Sequence, residues 1–152
     1  MDSGAVMEQL LERPVYVIDF LPMRVGENGH GQFYEIEDYW YGSNLSKEIY
    51  RKFLRILLKL NCYYDMDVVR DGNNANRVHN PEPGDFVRWV AGCTMGEQKG
   101  YLNILLNGDA AMILLNGDDL SLSVYGPEET LCNLLGQLAA AEGLFFWKSE
   151  GV

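Results

Sequence analysis

The hexapeptide Ile-Leu-Leu-Asn-Gly-Asp occurs twice, at residues 104–109 and again at 113–118. Each copy ends an apolar run with Asn-Gly, the strongest short-range signal for a β-hairpin, because both residues tolerate positive φ. The flanking segments 101–106, 110–115 and 120–125 are short and rich in Leu, Ile, Val and Tyr. They read as a three-stranded meander with turns near residues 107–109 and 116–119. A nine-residue repeat also builds calcium-binding β-helices, where one residue separates Gly from Asp and many turns stack to complete each site. Here Gly108 and Gly117 sit directly beside Asp109 and Asp118, and only two copies are present. The duplication therefore belongs to architecture and not to ion binding.

Other strands and helices surround this ribbon. Residues 14–21 (PVYVIDFL) are β-branched and aromatic throughout and read as a strand. Residues 6–12 suggest a short helix. In FYEIEDYWY, Phe33, Ile36, Glu37 and Trp40 would share a helical face, whereas Tyr34, Ile36, Asp38 and Trp40 would share a strand face. Its aromatic content favours the strand. LSKEIYRKFLRILLKL is an amphipathic helix, with Ile49, Phe53, Ile56, Leu57 and Leu60 at helical spacing and Ser43, Asn44 or Ser46 to cap it. Residues 63–70 form the strand it feeds, and DGNNANRVHNPEP is a polar loop. Phe86, Trp89 and Val90 suggest a short helix ended by Gly92. A second long helix starts with Pro127 as its first residue, buries Leu131, Leu134, Leu135 and Leu138, and stops by Gly143; LFFW is a final strand.

The expected class is α+β: a mainly antiparallel sheet of about six or seven strands, two long amphipathic helices and one short helix. A strand-strand-helix-strand order occurs over residues 14–70 and again over 110–148, which allows two ββαβ-like halves. With 47% apolar and 12% aromatic residues, the 152-residue chain suits one core. Residues 1–152 are thus expected to form a single domain, with 1–12 as a short helix or a flexible arm.

The net charge of −10 opposes nucleic acid and anionic lipid and favours solubility or a basic partner. The start lacks the basic-then-apolar pattern of a signal peptide, and no apolar run approaches the length of a membrane span. Cys62, Cys93 and Cys132 are odd in number and widely spaced, as free thiols in a reducing cytoplasm would be. A cytoplasmic location follows as the expectation.

Charge is segregated along the chain. Lys47, Arg51, Arg55 and Lys59 fall four apart and form one helical stripe. Residues 45–60 hold five basic side chains and one acid, a net +4, so the remainder carries −14. The stripe can orient an anionic partner, or it is a solvated face whose stems shield the core edge. In a strand, Glu35 and Glu37 would project from one face with Cα atoms about 7 Å apart. Such a pair can divide acid and base roles in glycoside hydrolysis while neighbouring rings stack on sugars. Asp65 and Asp67 pose the same possibility.

No cofactor and no metal is expected. No HExxH, CxxC or EF-hand spacing occurs, and His30 and His79 lie in predicted loops. None of the cysteines has an activating context, and GENGHG lacks the Lys-Ser/Thr of a phosphate loop. No motif of a known family is present.

Two functions remain. The first is a non-enzymatic interaction module of inhibitor or immunity type, in which Tyr34, Glu35, Glu37, Asp38 and Trp40 meet a basic protein and Lys47, Arg51, Arg55 and Lys59 set orientation. The alternative is a small-molecule or carbohydrate-binding protein or minor hydrolase with its site among Tyr34, Glu35, Glu37, Trp40 and Tyr64. A homodimer through a free edge of the 101–125 meander is a further expectation.

Overall fold

The structure is a computed structural model and describes residues 3–26, 31–70, 77–96 and 99–149. Along the chain run α1 (Ser3–Leu10), β1 (Val15–Asp19), α2 (Gln32–Tyr41), α3 (Leu45–Leu60), β2 (Met66–Arg70), β3 (Arg77–His79), α4 (Pro83–Met95), β4 (Tyr101–Leu106), β5 (Ala111–Asn116), β6 (Ser121–Tyr125), α5 (Glu129–Ala141) and β7 (Phe145–Lys148). The strands make one antiparallel sheet in the order β3-β2-β4-β5-β6-β1-β7.

β4, β5 and β6 form the expected meander, with Leu106 opposite Ala111 and Leu115 opposite Leu122. Its two Asn-Gly corners meet different needs. In the first, Asn107 (φ 46°) and Gly108 (φ 73°) are both left-handed, and the Ala110 amide donates to Leu106 O at 3.1 Å. In the second, neither Asn116 nor Gly117 has positive φ. There Asn116 Oδ1 accepts the Asp118 amide at 3.0 Å, and the Gly117 amide donates to Gly100 O at 2.8 Å. A Cβ on Gly117 would overlap the Cys93 carbonyl at the end of α4. Gly108 supplies a backbone angle; Gly117 permits a close approach.

α3, α4 and α5 cover one face of the sheet. Ile49, Tyr50, Phe53, Ile56, Leu57 and Leu60 of α3 pack with Ile18, Met66, Val68, Ile104, Ile113, Leu122 and Val124, and with Leu131 and Leu135 of α5. Each fully buried Leu, Ile or Phe contributes about 1.5–3 kcal/mol. α1 covers part of the reverse face, where Val6, Met7 and Leu10 pack on Val69, Leu105 and Met112. β4 lies between these layers, which is why residues 102–106 are buried in succession.

Several expectations are corrected. FYEIEDYWY is helix, not strand: it lies within α2 and pairs with no strand of the sheet, while β6 and β7 flank β1. β propensity reflects fit to a paired, half-buried surface and fails without one. The first proposed half is therefore β-α-α-β, and β1 lies between β6 and β7, so no two ββαβ halves exist. Five helices are present among the described residues in place of three. The expected short helix at Phe86 is the 13-residue α4, with Pro83 in its first turn and Gly92 inside it. Part of the predicted polar loop pairs as β3, and residues 71–76 lie outside the described residues. Residues 63–65 form a turn before β2. α5 begins at Glu129 and not at Pro127, capped by Glu128, whose carboxylate accepts the amides of Thr130 and Leu131 at 3.0 and 2.9 Å. The meander offers no free edge, since β2 flanks β4 and β1 flanks β6. No helix among the described residues is long and apolar enough to cross a membrane.

Candidate functional site

α2 packs beside the start of α3, separated from it by three residues. Gly31 (φ 85°) leads into it, and the Gly42 amide ends it on Asp38 O. Its inner side carries Phe33, Glu37, Trp40 and Tyr41, all half-buried. Trp40 packs on Phe20 with ring centroids 4.8 Å apart and planes tilted by 34°, and Tyr41 Oη donates to Asp118 O. No α2 residue is fully buried. The outer side carries Tyr34, 70% exposed, and Tyr39, 68% exposed, with Glu35 and Asp38 between them; Ile36 is 47% exposed at the margin. The result is an exposed patch of rings and acids, and Tyr34 at its border also forms part of the wall of a neighbouring cleft.

Beneath α2 lies a different acidic environment. Asp19 ends β1, and its Oδ1 accepts the Phe20 amide at 2.7 Å. Burial pushes its carboxyl up to about 6, opposed by the Phe20 and Leu21 amides and reinforced by Glu37. Glu37 is itself raised by burial and by Asp119, and Asp119 by burial and by Asp118. Asp19 opens on a cleft of about 520 Å³ whose walls include Arg24, Phe33, Tyr34 and Trp147. Trp147 Nε1 donates to Leu21 O at 2.9 Å and fixes that wall. Among the described residues Asp19 is the one carboxyl that lines this cleft, with Glu37 close enough to raise its pKa.

The sequence-derived residues thus divide. Tyr34, Glu35 and Asp38 share the outer face of α2, whereas Glu37 and Trp40 turn inward. The proposed Glu35–Glu37 pair does not form, because residues two apart on a helix face different directions. Tyr64 is at the far end of α3, where its hydroxyl donates to Glu128 at 3.2 Å, and it does not join the aromatic set. Lys47, Arg51, Arg55 and Lys59 form one exposed stripe on α3. Arg55 donates from Nε and Nη2 to Glu142 Oε1 at 2.9 and 2.6 Å, and Lys59 lies 3.7 Å from Oε2. Half of the stripe therefore braces α3 against the end of α5, and hydrogen bonding from Arg55 holds the Glu142 carboxyl below its usual range.

Asp67 lies across the sheet from these groups. It accepts from Arg77 Nε at 2.7 Å and meets His79 Nδ1 at 2.6 Å, which keeps its pKa low. His30 lies outside the described residues. Among the described residues no three His, Cys, Asp or Glu side chains gather in a metal-binding arrangement. Sequence reading missed Asp19, whose only sign was a carboxylate closing an apolar strand. It also missed Arg70, which meets Trp89 through folding alone. Comparison with protein-family models, with curated proteins and with solved structures gave no match.

Proposed function

We propose that this protein is a non-enzymatic interaction module that receives a basic protein on the outer face of α2. The observation that carries the reading is that Tyr34 and Tyr39 are both largely exposed, with Glu35 and Asp38 between them on the outer face of α2. Tyrosines give large, stiff contact area at low entropic cost, which suits them to anchor an interface. Interleaved acids in a chain of net charge −10 speed encounter with a cationic surface and disfavour anionic ones. The inward turn of Glu37 removes the geometry on which the hydrolase alternative depended. A reducing cytoplasm suits the three free thiols, one of them exposed at Cys62.

A second reading, small-molecule binding, draws support from the volume and aromatic walls of the Asp19 cleft. Affinity capture from the native host separates the two. Wild type, E35K/D38K and Y34A/Y39A serve as bait at two salt concentrations. The expected result is a basic protein retained by wild type, weakened by salt, and lost from both variants while their melting temperatures stay near that of wild type. Retention indifferent to both variants, or no salt-sensitive basic protein at all, removes the interaction reading.

A further inference from the structure

A second recess lies away from α2, between α4 and the paired strands β2 and β4. Its volume is about 350 Å³, and Arg70, Arg88, Trp89, Lys99 and Tyr101 are among its walls. Three of the chain's twelve basic side chains gather there, and no carboxylate lines the recess among the described residues. In a protein of net charge −10 that local reversal of sign calls for a reason.

The three cations are not equivalent. Arg88 Nη2 pairs with Asp85, one turn earlier on α4. Lys99 Nζ donates to Thr94 O at 2.5 Å. Arg70, at the end of β2 opposite Leu102, has its guanidinium carbon 4.4 Å from the centroid of the Trp89 ring. Its Nε is buried and has no hydrogen-bond partner among the described residues. Stacking on the indole attracts the charge but satisfies none of its N–H donors, and a buried donor left unmade is costly. A planar guanidinium held against a ring has its fork oriented in advance for a carboxylate or phosphate.

The remaining walls suit an aromatic body. Tyr101 is 40% exposed beside Gly92, and a Cβ on Gly92 would meet nothing within 4 Å. Gly92 thus leaves open space inside α4 where almost any other residue would fill it, at a cost in helix propensity. The volume falls at the low end of small-ligand pockets, about 300–1,000 Å³.

We propose that this recess is a binding site for a small anion carried on an aromatic ring, with Arg70 engaging the anion and Tyr101 and the space over Gly92 receiving the ring. The site is separate from α2 and does not rest on the interaction reading.

Calorimetric titration of the full chain tests it with four probes: adenosine monophosphate, benzoate, adenosine and inorganic phosphate. Saturable binding of adenosine monophosphate or benzoate is expected with Kd below about 1 mM, with adenosine and inorganic phosphate each weaker by about tenfold or more. Whichever ring-bearing anion binds identifies the head group as phosphate or carboxylate. R70M weakens it by at least about tenfold. G92M fills the recess and abolishes binding while its melting temperature stays at or above that of wild type, because methionine is the better helix former. No saturation by either ring-bearing anion overturns the proposal, as does binding that survives R70M or G92M in folded protein. Equal affinity for inorganic phosphate alone overturns the role of the ring.

Discussion

Tyr50 and Gly117, far apart in the chain, are joined through the core: the Tyr50 hydroxyl donates to Gly117 O at 2.7 Å while the side chain is 1% exposed. The bond ties the first turn-and-a-half of α3 to the second Asn-Gly corner, and burial pushes the phenol up to about 12, so it remains a donor at every physiological pH. Y50F deletes the donor, keeps the ring, and leaves a buried carbonyl short of a partner. The expected loss is about 1–2 kcal/mol, read from chemical denaturation at constant m-value. A change near zero would mean that water takes the hydroxyl's place.

The two copies of the repeat should respond differently to one substitution. G108A meets open space but must hold alanine at φ 73°, at a cost of about 1 kcal/mol. G117A has no such backbone strain, yet its methyl group overlaps the Cys93 carbonyl and must displace α4 or the turn, so the expected cost is larger, about 2–3 kcal/mol. Melting curves of the two variants should therefore rank G117A below G108A. The reverse order would show that the turn angle, not the close approach, governs both corners.

Asp19 gives a pH signature whose sign follows from the direction of its shift. Its carboxyl rises from an ordinary 3.8 to about 6 on folding, so between those pH values the folded chain keeps a proton that the unfolded chain releases. The penalty for charging it grows as pH rises through this window and is complete above about 6. Glu37 faces it and acts in the same direction, while the Phe20 and Leu21 amides oppose both. D19N, which can still accept the Phe20 amide, should match wild type below pH 4 and exceed it above pH 6 by about 1 kcal/mol, after allowance for solvent screening. A constant difference between the two proteins across that range would rule out titration of Asp19 as the cause.

What was legible in the sequence follows from where each structural decision is made. α3 was readable because Ile49, Phe53, Ile56, Leu57 and Leu60 repeat at helical spacing and all meet one core. The meander was readable because its strands are consecutive and its corners carry their own turn residues. α2 was not, since Ile36 and Trp40 satisfy both periods and the helix is held by tertiary contacts such as Trp40 on Phe20 that the local pattern does not encode. β3 escaped notice because a polar three-residue edge strand is defined only by its partner Val68 and its neighbours. The same limit applies to sites. The exposure of Tyr34 follows from the helix, but the Asp19 cleft and the Arg70–Trp89 stack join segments that only the sheet brings together.

Trp40 tests how α2 is held. The helix buries none of its residues fully, and its principal apolar anchor is the Trp40 ring on Phe20, with the indole Nε1 buried and unbonded. W40F keeps a ring against Phe20, removes the unsatisfied N–H and gives up some area. These effects oppose each other, and the net change should stay within about 1 kcal/mol. W40A removes the ring contact and should cost about 2 kcal/mol, less than a fully buried tryptophan because the site is half-buried. Since α3 and the sheet do not depend on this contact, the W40A loss should be local: α2 becomes open to limited proteolysis at temperatures where α3 is still protected. If W40A proves as resistant within α2 as wild type, the attachment lies instead with Tyr41, whose hydroxyl reaches the Asp118 carbonyl, and Y41F becomes the variant that releases the helix.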